Sequence, residues 1–97
     1  MEPQQPINLD AEIKIPNYVF SEKIDNAFFI LNSNDGQYYE LEGTSSDIWE
    51  IINQKNTTIT SLIKQLEGVY LEHPDIKNQV IEFINELLKK SVLEISS

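Results

Sequence analysis

The 97-residue sequence contains no cysteine and no arginine. Without cysteine, the chain cannot form disulfides, thiolate metal sites or a cysteine nucleophile, and this composition favours a cytoplasmic protein. Without arginine, it lacks the side chain that most often recognises guanine in DNA. The composition alone therefore argues against functions that depend on cysteine or arginine.

Positive charge of any kind is scarce. The chain has 7 Lys and Arg residues against 16 Asp and Glu, and its formal net charge is −9. Nucleic-acid binders place basic side chains against phosphates, and anionic membrane surfaces attract basic segments. We therefore expect neither nucleic acid nor a membrane surface as a partner, while a peptide or protein partner remains open.

Long apolar runs are also missing. No stretch approaches the roughly 18 apolar residues that a membrane span needs, and the N-terminus lacks the basic and then apolar pattern of a secretory signal. At this length, we expect one small domain with a modest core. Residues 1–12 show no periodic pattern and predict a flexible N-terminal segment, so the domain is expected over residues 13–97.

The first half of the chain predicts a three-stranded antiparallel sheet. The expected strands are residues 18–24, residues 27–31 and residues 37–42, and the loop at 33–36 is rich in residues that tolerate tight reversals. The second of these strands, AFFIL, is apolar on both faces, which predicts a central strand covered on both sides. Residues 13–15 alternate and predict either a short edge strand or an extended arm.

The second half predicts three helices and a short C-terminal strand. Thr44 is expected to cap a first helix that ends near Gln54, and Thr58 a second helix with apolar residues at the 3.6-residue period. The third helix carries an unusually wide apolar stripe and is expected to end at Ser91, before a strand at 92–95. This order indicates an α+β fold, arranged like a winged helix-turn-helix with its sheet at the N-terminus.

The order and spacing of these motifs resemble the PqqD-like family of RiPP recognition elements, which bind ribosomally synthesised peptides that are later modified. The resemblance covers about residues 18–95, and Ser91 stands where the family commonly has glycine. The matching positions are Tyr39 and Leu41 in the third strand, Ile48 and Trp49 in the first helix, Thr58 and Leu62 in the second, and Val92, Leu93 and Glu94 after the third.

This resemblance implies a protein that is not an enzyme and needs no cofactor. It would bind the leader segment of a precursor peptide by strand addition to the third strand, against the third helix, and present it to a modifying enzyme. As a small free-standing protein, it is most similar to the recognition element of lasso-peptide biosynthesis, which works with a leader peptidase and a cyclase. Close relatives serve radical-SAM and quinone-cofactor peptide pathways.

Physical reasoning points to the same site. A strand edge has unpaired N–H and C=O groups that an extended peptide can satisfy, and an apolar helix beside it adds a wall for side chains. The candidate peptide-binding residues are Gln37, Tyr38, Tyr39, Glu40, Leu41 and Glu42 on the strand, and Gln79, Val80, Phe83, Ile84 and Leu87 on the third helix.

Other functions have weaker support in the sequence. A winged-helix DNA binder would need a positive third helix, yet the acidic and basic residues of that helix cancel. His73 is the only histidine, so neither a zinc site nor a catalytic triad is expected, and Ser45 and Ser46 fit a helix start better than a nucleophile. Trp49 is expected in the core. A homodimer that pairs two strand edges remains an alternative.

Overall fold

The computed structural model describes residues 9–72 and 74–96. The described chain is α+β, with three helices and two three-stranded antiparallel sheets, which confirms the predicted class. The elements are β1 (Glu12–Lys14), β2 (Val19–Ile24), β3 (Ala27–Asn32), β4 (Gln37–Leu41), α1 (Thr44–Gln54), β5 (Thr57–Thr58), α2 (Ile59–Val69), α3 (Ile76–Lys89) and β6 (Glu94–Ser96).

The main sheet has the order β2-β3-β4, so the prediction of a central β3 is confirmed. Only one face of β3 is covered, however. Phe28 and Ile30 are buried, whereas Phe29 on the opposite face is 36% exposed. The prediction that β3 is covered on both sides is therefore wrong, because the described part of the chain packs against the face that carries Phe28 and Ile30.

The small sheet has the order β5-β1-β6 and was not predicted. Its middle strand is β1, whose Ile13 has no exposed surface, so β1 is neither an edge strand nor a free arm. The Leu9 carbonyl accepts hydrogen bonds from the backbone N–H and Oγ1 of Thr60, at 3.0 and 3.1 Å. The predicted flexible segment therefore does not hold for residues 9–12, and residues 1–8 lie outside the described residues.

The helix starts agree with the prediction at one position and differ at another. Thr58 caps α2, since its Oγ1 accepts a hydrogen bond from the Ser61 N–H at 3.1 Å. The cap of α1 is Gly43, one residue before the predicted Thr44, and its φ is 61°. Glycine adopts this conformation without steric cost, which lets β4 turn directly into α1.

Helix α1 packs against β3 and β4 of the main sheet, and α2 packs against both α1 and α3. Trp49 is fully buried in the core, as predicted. The core side of α3 carries Ile76, Val80, Ile84 and Leu87, which all point to one stripe of the helix. Among the described residues, none of the helices combines the length and apolar character needed to cross a membrane. The winged helix-turn-helix comparison stays a prediction.

Candidate functional site

Strand β4 is an edge of the main sheet. It pairs with β3 along one side, and no strand in the described part of the chain pairs with its other side. Along an antiparallel edge, the outward N–H and C=O groups recur at every second residue. The five residues of β4 thus provide an unpaired backbone edge, about 16 Å long at the usual rise per residue.

A groove of about 440 Å³ lies between this edge and α3. Its apolar part is formed by the half-buried Phe83 and by Leu41 and Leu87, which keep 8% and 2% of their surface exposed. The groove residues are Tyr38, Tyr39, Glu40, Leu41, Phe83, Glu86, Leu87 and Lys90. A depression of similar volume, about 450 Å³, lies near the β2–β3 turn. The groove differs from this depression in having an unpaired strand edge along one side, and not in its volume.

Two hydrogen bonds from the main sheet hold the C-terminal end of α3 beside β4. Asn32, which is 1% exposed, donates from Nδ2 to the Lys90 carbonyl at 3.2 Å, and Tyr18 Oη donates to the Ser91 carbonyl at 3.0 Å. The Asn32 Oδ1 atom also accepts from the Asn34 N–H at 2.9 Å. A buried amide with both ends bonded fixes the position of a helix end, and so the width of the groove.

The charges around the groove are mostly negative. Lys90 Nζ lies 3.2 Å from Glu86 Oε2 and 5.5 Å from the centroid of the Tyr39 ring, so this cation is already engaged at one end of the groove. A hydrogen bond with Glu42 raises the pKa of Glu40, with desolvation and charge repulsion from Glu42 adding to the effect. Two carboxyl groups, those of Glu40 and Glu42, therefore lie close together on this side of β4.

The structure brings together six of the eleven predicted peptide-binding residues: Tyr38, Tyr39, Glu40, Leu41, Phe83 and Leu87. Gln79 lines an adjoining depression of about 380 Å³, which shares Phe83 and Glu86 with the groove and reaches Thr44 at the start of α1.

Four predicted residues do not line the groove. Val80 and Ile84 have no exposed surface and belong to the core, so the prediction that they line the groove is wrong. Gln37 lies at the hairpin end, where its N–H bonds to Asp35 Oδ1 at 3.0 Å. Glu42 lies beyond the end of β4, beside the depression near the β2–β3 turn.

Two groove residues, Glu86 and Lys90, were missed by the sequence argument. Both are charged, whereas the stripe of α3 that indicates a groove wall is apolar. Their spacing of four residues was the available signal, because residues at this spacing share one helix face.

A metal centre finds no support in the described residues, where no group of three or more His, Cys, Asp or Glu side chains is placed to hold an ion. His73 lies outside the described residues. The groove instead combines backbone hydrogen-bonding groups, apolar side chains and carboxylates, which is the chemistry of a peptide-binding site.

Comparison with known proteins gave two matches. The model of the family described as Coenzyme PQQ synthesis protein D (PqqD) matches residues 28–93. The solved structure of TbiB1 in complex with the TbiA(beta) leader peptide is similar in fold, with a TM-score of 0.78 and 24% sequence identity, over 87% of this chain and 98% of that chain. No curated protein sequence matches the chain.

Proposed function

Because this chain belongs to the PqqD family, we propose that it is a recognition element without catalytic activity that binds the leader segment of a ribosomally synthesised precursor peptide. The observation that carries the proposal is the unpaired edge of β4 beside the apolar groove of α3. The likeness in fold to TbiB1, which was solved with a leader peptide, supports it.

Binding would add the leader to the main sheet as a fourth strand. The β4 backbone supplies hydrogen bonds that any extended peptide can make, so these contacts give affinity without sequence choice. Side chains of an extended strand alternate between two faces. Every second leader residue would therefore enter the groove, where Phe83 and Leu87 favour an apolar side chain.

The bound leader would then be presented to a modifying enzyme. In our proposal, the pathway is lasso-peptide maturation, with a leader peptidase and a cyclase as the enzymes served, and a radical-SAM or quinone-cofactor peptide pathway is the alternative. Since the precursor is made on ribosomes, this binding takes place in the cytoplasm. A DNA-binding role is less well supported, because α3 is committed to the core on one side and its charges cancel.

The test is titration of a fluorescently labelled leader peptide into the protein. We expect Phe83→Ala to weaken leader binding about tenfold, which corresponds to roughly 1.4 kcal/mol, because a large aromatic side chain at an interface centre commonly contributes this much. Phe83→Glu should weaken it further, since a carboxylate would replace the apolar wall. Phe83 is only half-buried, so circular dichroism should report a native fold for both variants.

The matched control is Leu71→Ala. Leu71 is 83% exposed and lines a different depression, beside Val69 and Glu72, so its loss should leave leader affinity unchanged. Wild-type affinity in both Phe83 variants would show that the leader does not use this groove.

A further inference from the structure

The face of the main sheet opposite the core is largely apolar, and no other described element covers it. We define this outer face by the strand residues that point away from the core: Phe20, Glu22, Ile24, Ala27, Phe29, Leu31, Tyr38 and Glu40. Four of them are large hydrophobic side chains with substantial exposure: Phe20 at 59%, Ile24 at 48%, Phe29 at 36% and Tyr38 at 72%.

The strand register makes this apolar surface continuous. Phe20 lies opposite Leu31, and Leu31 opposite Tyr38, so one apolar row crosses all three strands. In a neighbouring row, Phe29 lies between Glu22 and Glu40. Side chains directly opposite one another on a sheet are in contact range, so these rows form one patch. A patch of this size is comparable with the largest apolar patch on a typical monomeric protein, and such patches are often functional.

All the charged residues of the outer face are carboxylates. Glu22 and Glu40 flank Phe29, and Asp25 and Glu42 line the depression at the Ile24 end of the face. Lys23 points to the other face of the sheet, where its Nζ lies 2.8 Å from Glu50 Oε1. The outer face is therefore an apolar centre with a negative border.

This charge pattern opposes self-association. Two copies stacked through the outer face would bring carboxylates together at their borders, and like charges across an interface are unfavourable. A complementary surface needs an apolar centre and basic side chains around it. We propose that the outer face is the docking surface for the enzyme that receives the leader, and that the enzyme's contact surface is apolar and bordered by lysine or arginine.

The proposal rests on the proposed function, because strand addition would enlarge this surface. Two strands of six residues and one of five cover roughly 270 Å², whereas a stable interface commonly buries about 800 Å² on each partner. A leader added beside β4 would place every second side chain on the outer face, next to Tyr38 and Glu40. The enzyme would thus contact protein and leader together, and bind the complex more tightly than either alone.

The experiment uses the full chain, the labelled leader and the purified enzyme that modifies the same precursor. Enzyme affinity for the protein–leader complex is measured by calorimetry, and leader affinity by fluorescence. We expect the double variant Phe20→Ser, Phe29→Ser to weaken enzyme binding at least about tenfold while leader affinity stays at the wild-type value. Leu71→Ser, which removes an apolar side chain that is 83% exposed elsewhere, should change neither affinity.

Charge complementarity is tested separately. Added NaCl should weaken enzyme binding, because screening reduces attraction between the acidic border and a basic partner. Glu22→Gln should make enzyme affinity less sensitive to salt. A salt-independent affinity for the wild type would contradict the basic chemistry of the proposed partner.

Three other outcomes would overturn the proposal. Enzyme binding that is absent in the wild type, or unchanged in the double variant, excludes this face as the docking surface. A wild-type dimer in light scattering that the double variant abolishes would assign the face to a second copy. Loss of leader affinity in the double variant would show that the outer face binds the leader instead of the enzyme. Failure of the proposed function is distinct, because the wild type would then not bind leader at all.

Discussion

Trp49 has no exposed surface, and its indole N–H has no hydrogen-bond partner among the described residues. The side chain therefore stabilises the fold through packing alone, while its polar atom opposes folding. We expect Trp49→Ala to reduce the free energy of unfolding by about 3–5 kcal/mol, the usual loss for a large buried aromatic.

Trp49→Phe should cost distinctly less, because it keeps most of the ring while removing the unsatisfied N–H. Urea unfolding followed by circular dichroism measures both variants. Equal destabilisation by the two substitutions would contradict this expectation, because Trp49→Phe keeps most of the buried ring that Trp49→Ala removes.

Tyr70 is a second single residue that stabilises the fold, and its contribution depends on pH. Its hydroxyl donates to the Asp47 carboxylate, and this hydrogen bond is the main cause that raises the pKa of Tyr70 above its usual value. A raised pKa means that the folded state holds the phenolic proton more tightly than the unfolded state. The stabilisation is therefore complete below the unfolded pKa of about 10 and is lost as pH rises through the folded pKa.

Tyr70→Phe should therefore lower the melting temperature at neutral pH, and the difference from wild type should narrow above about pH 10. Thermal unfolding at a series of pH values measures this. A difference for Tyr70→Phe that persists unchanged at high pH would contradict the role of Asp47.

At the scale of elements, the position of the C-terminal end of α3 determines the width of the groove. Ser91 has a φ of 61° and takes the chain out of the helix towards β6. Residues with a side chain adopt this conformation at a cost of roughly 1–2 kcal/mol, whereas glycine does so readily. The hydrogen bond that Ser91 accepts from Tyr18 uses its backbone carbonyl, so glycine would keep it.

Ser91→Gly should therefore raise the free energy of unfolding by about 0.5–1 kcal/mol, after the extra backbone entropy of glycine is subtracted. Chemical denaturation measures the gain, and leader titration should show unchanged affinity because the groove keeps its shape. A destabilised variant would indicate that the Ser91 conformation carries little strain.

At the scale of the whole molecule, the small sheet joins distant parts of the chain. Strand β1 pairs with β5, at the start of α2, and with β6, after α3. Ile13 is paired with both Thr57 and Ile95 and is fully buried. This strand therefore stabilises helices that lie far from it in sequence.

Ile13→Ala should cost about 2–5 kcal/mol, as expected for a large buried aliphatic side chain. Ile15→Ala, at a half-buried position two residues away, should cost less. Hydrogen exchange should show faster opening in the small sheet and at the start of α2. Faster exchange confined to the main sheet would contradict the bridging role of β1.

Much of the fold was predictable from the sequence because its signals are local. Alternation over two residues and periodicity near 3.6 residues depend on near neighbours only, so β2, β3, β4 and the three helices were all expected. The cap at Thr58 was also predictable, since it needs only a hydroxyl three residues before an amide. The resemblance rested on the order of these same local motifs.

The small sheet was not predictable in this way. Its strands have three, two and three residues and pair across most of the chain. The strands expected at 92–95 and 13–15 overlap β6 and β1, whereas the two-residue β5 and the pairing of all three strands depend on long-range packing. The bonds of Asn32 to the end of α3 have the same origin.

The composition and periodicity of the sequence by themselves determined an acidic α+β domain with an apolar third helix and a strand that leads into a helix. Only the tertiary structure decided which apolar residues meet the core and which remain exposed. Val80, Phe83 and Ile84 are adjacent on one wide stripe, and packing buries the first and third while leaving Phe83 in the groove. Phe29 is exposed for the same reason, because none of the described elements covers the outer face.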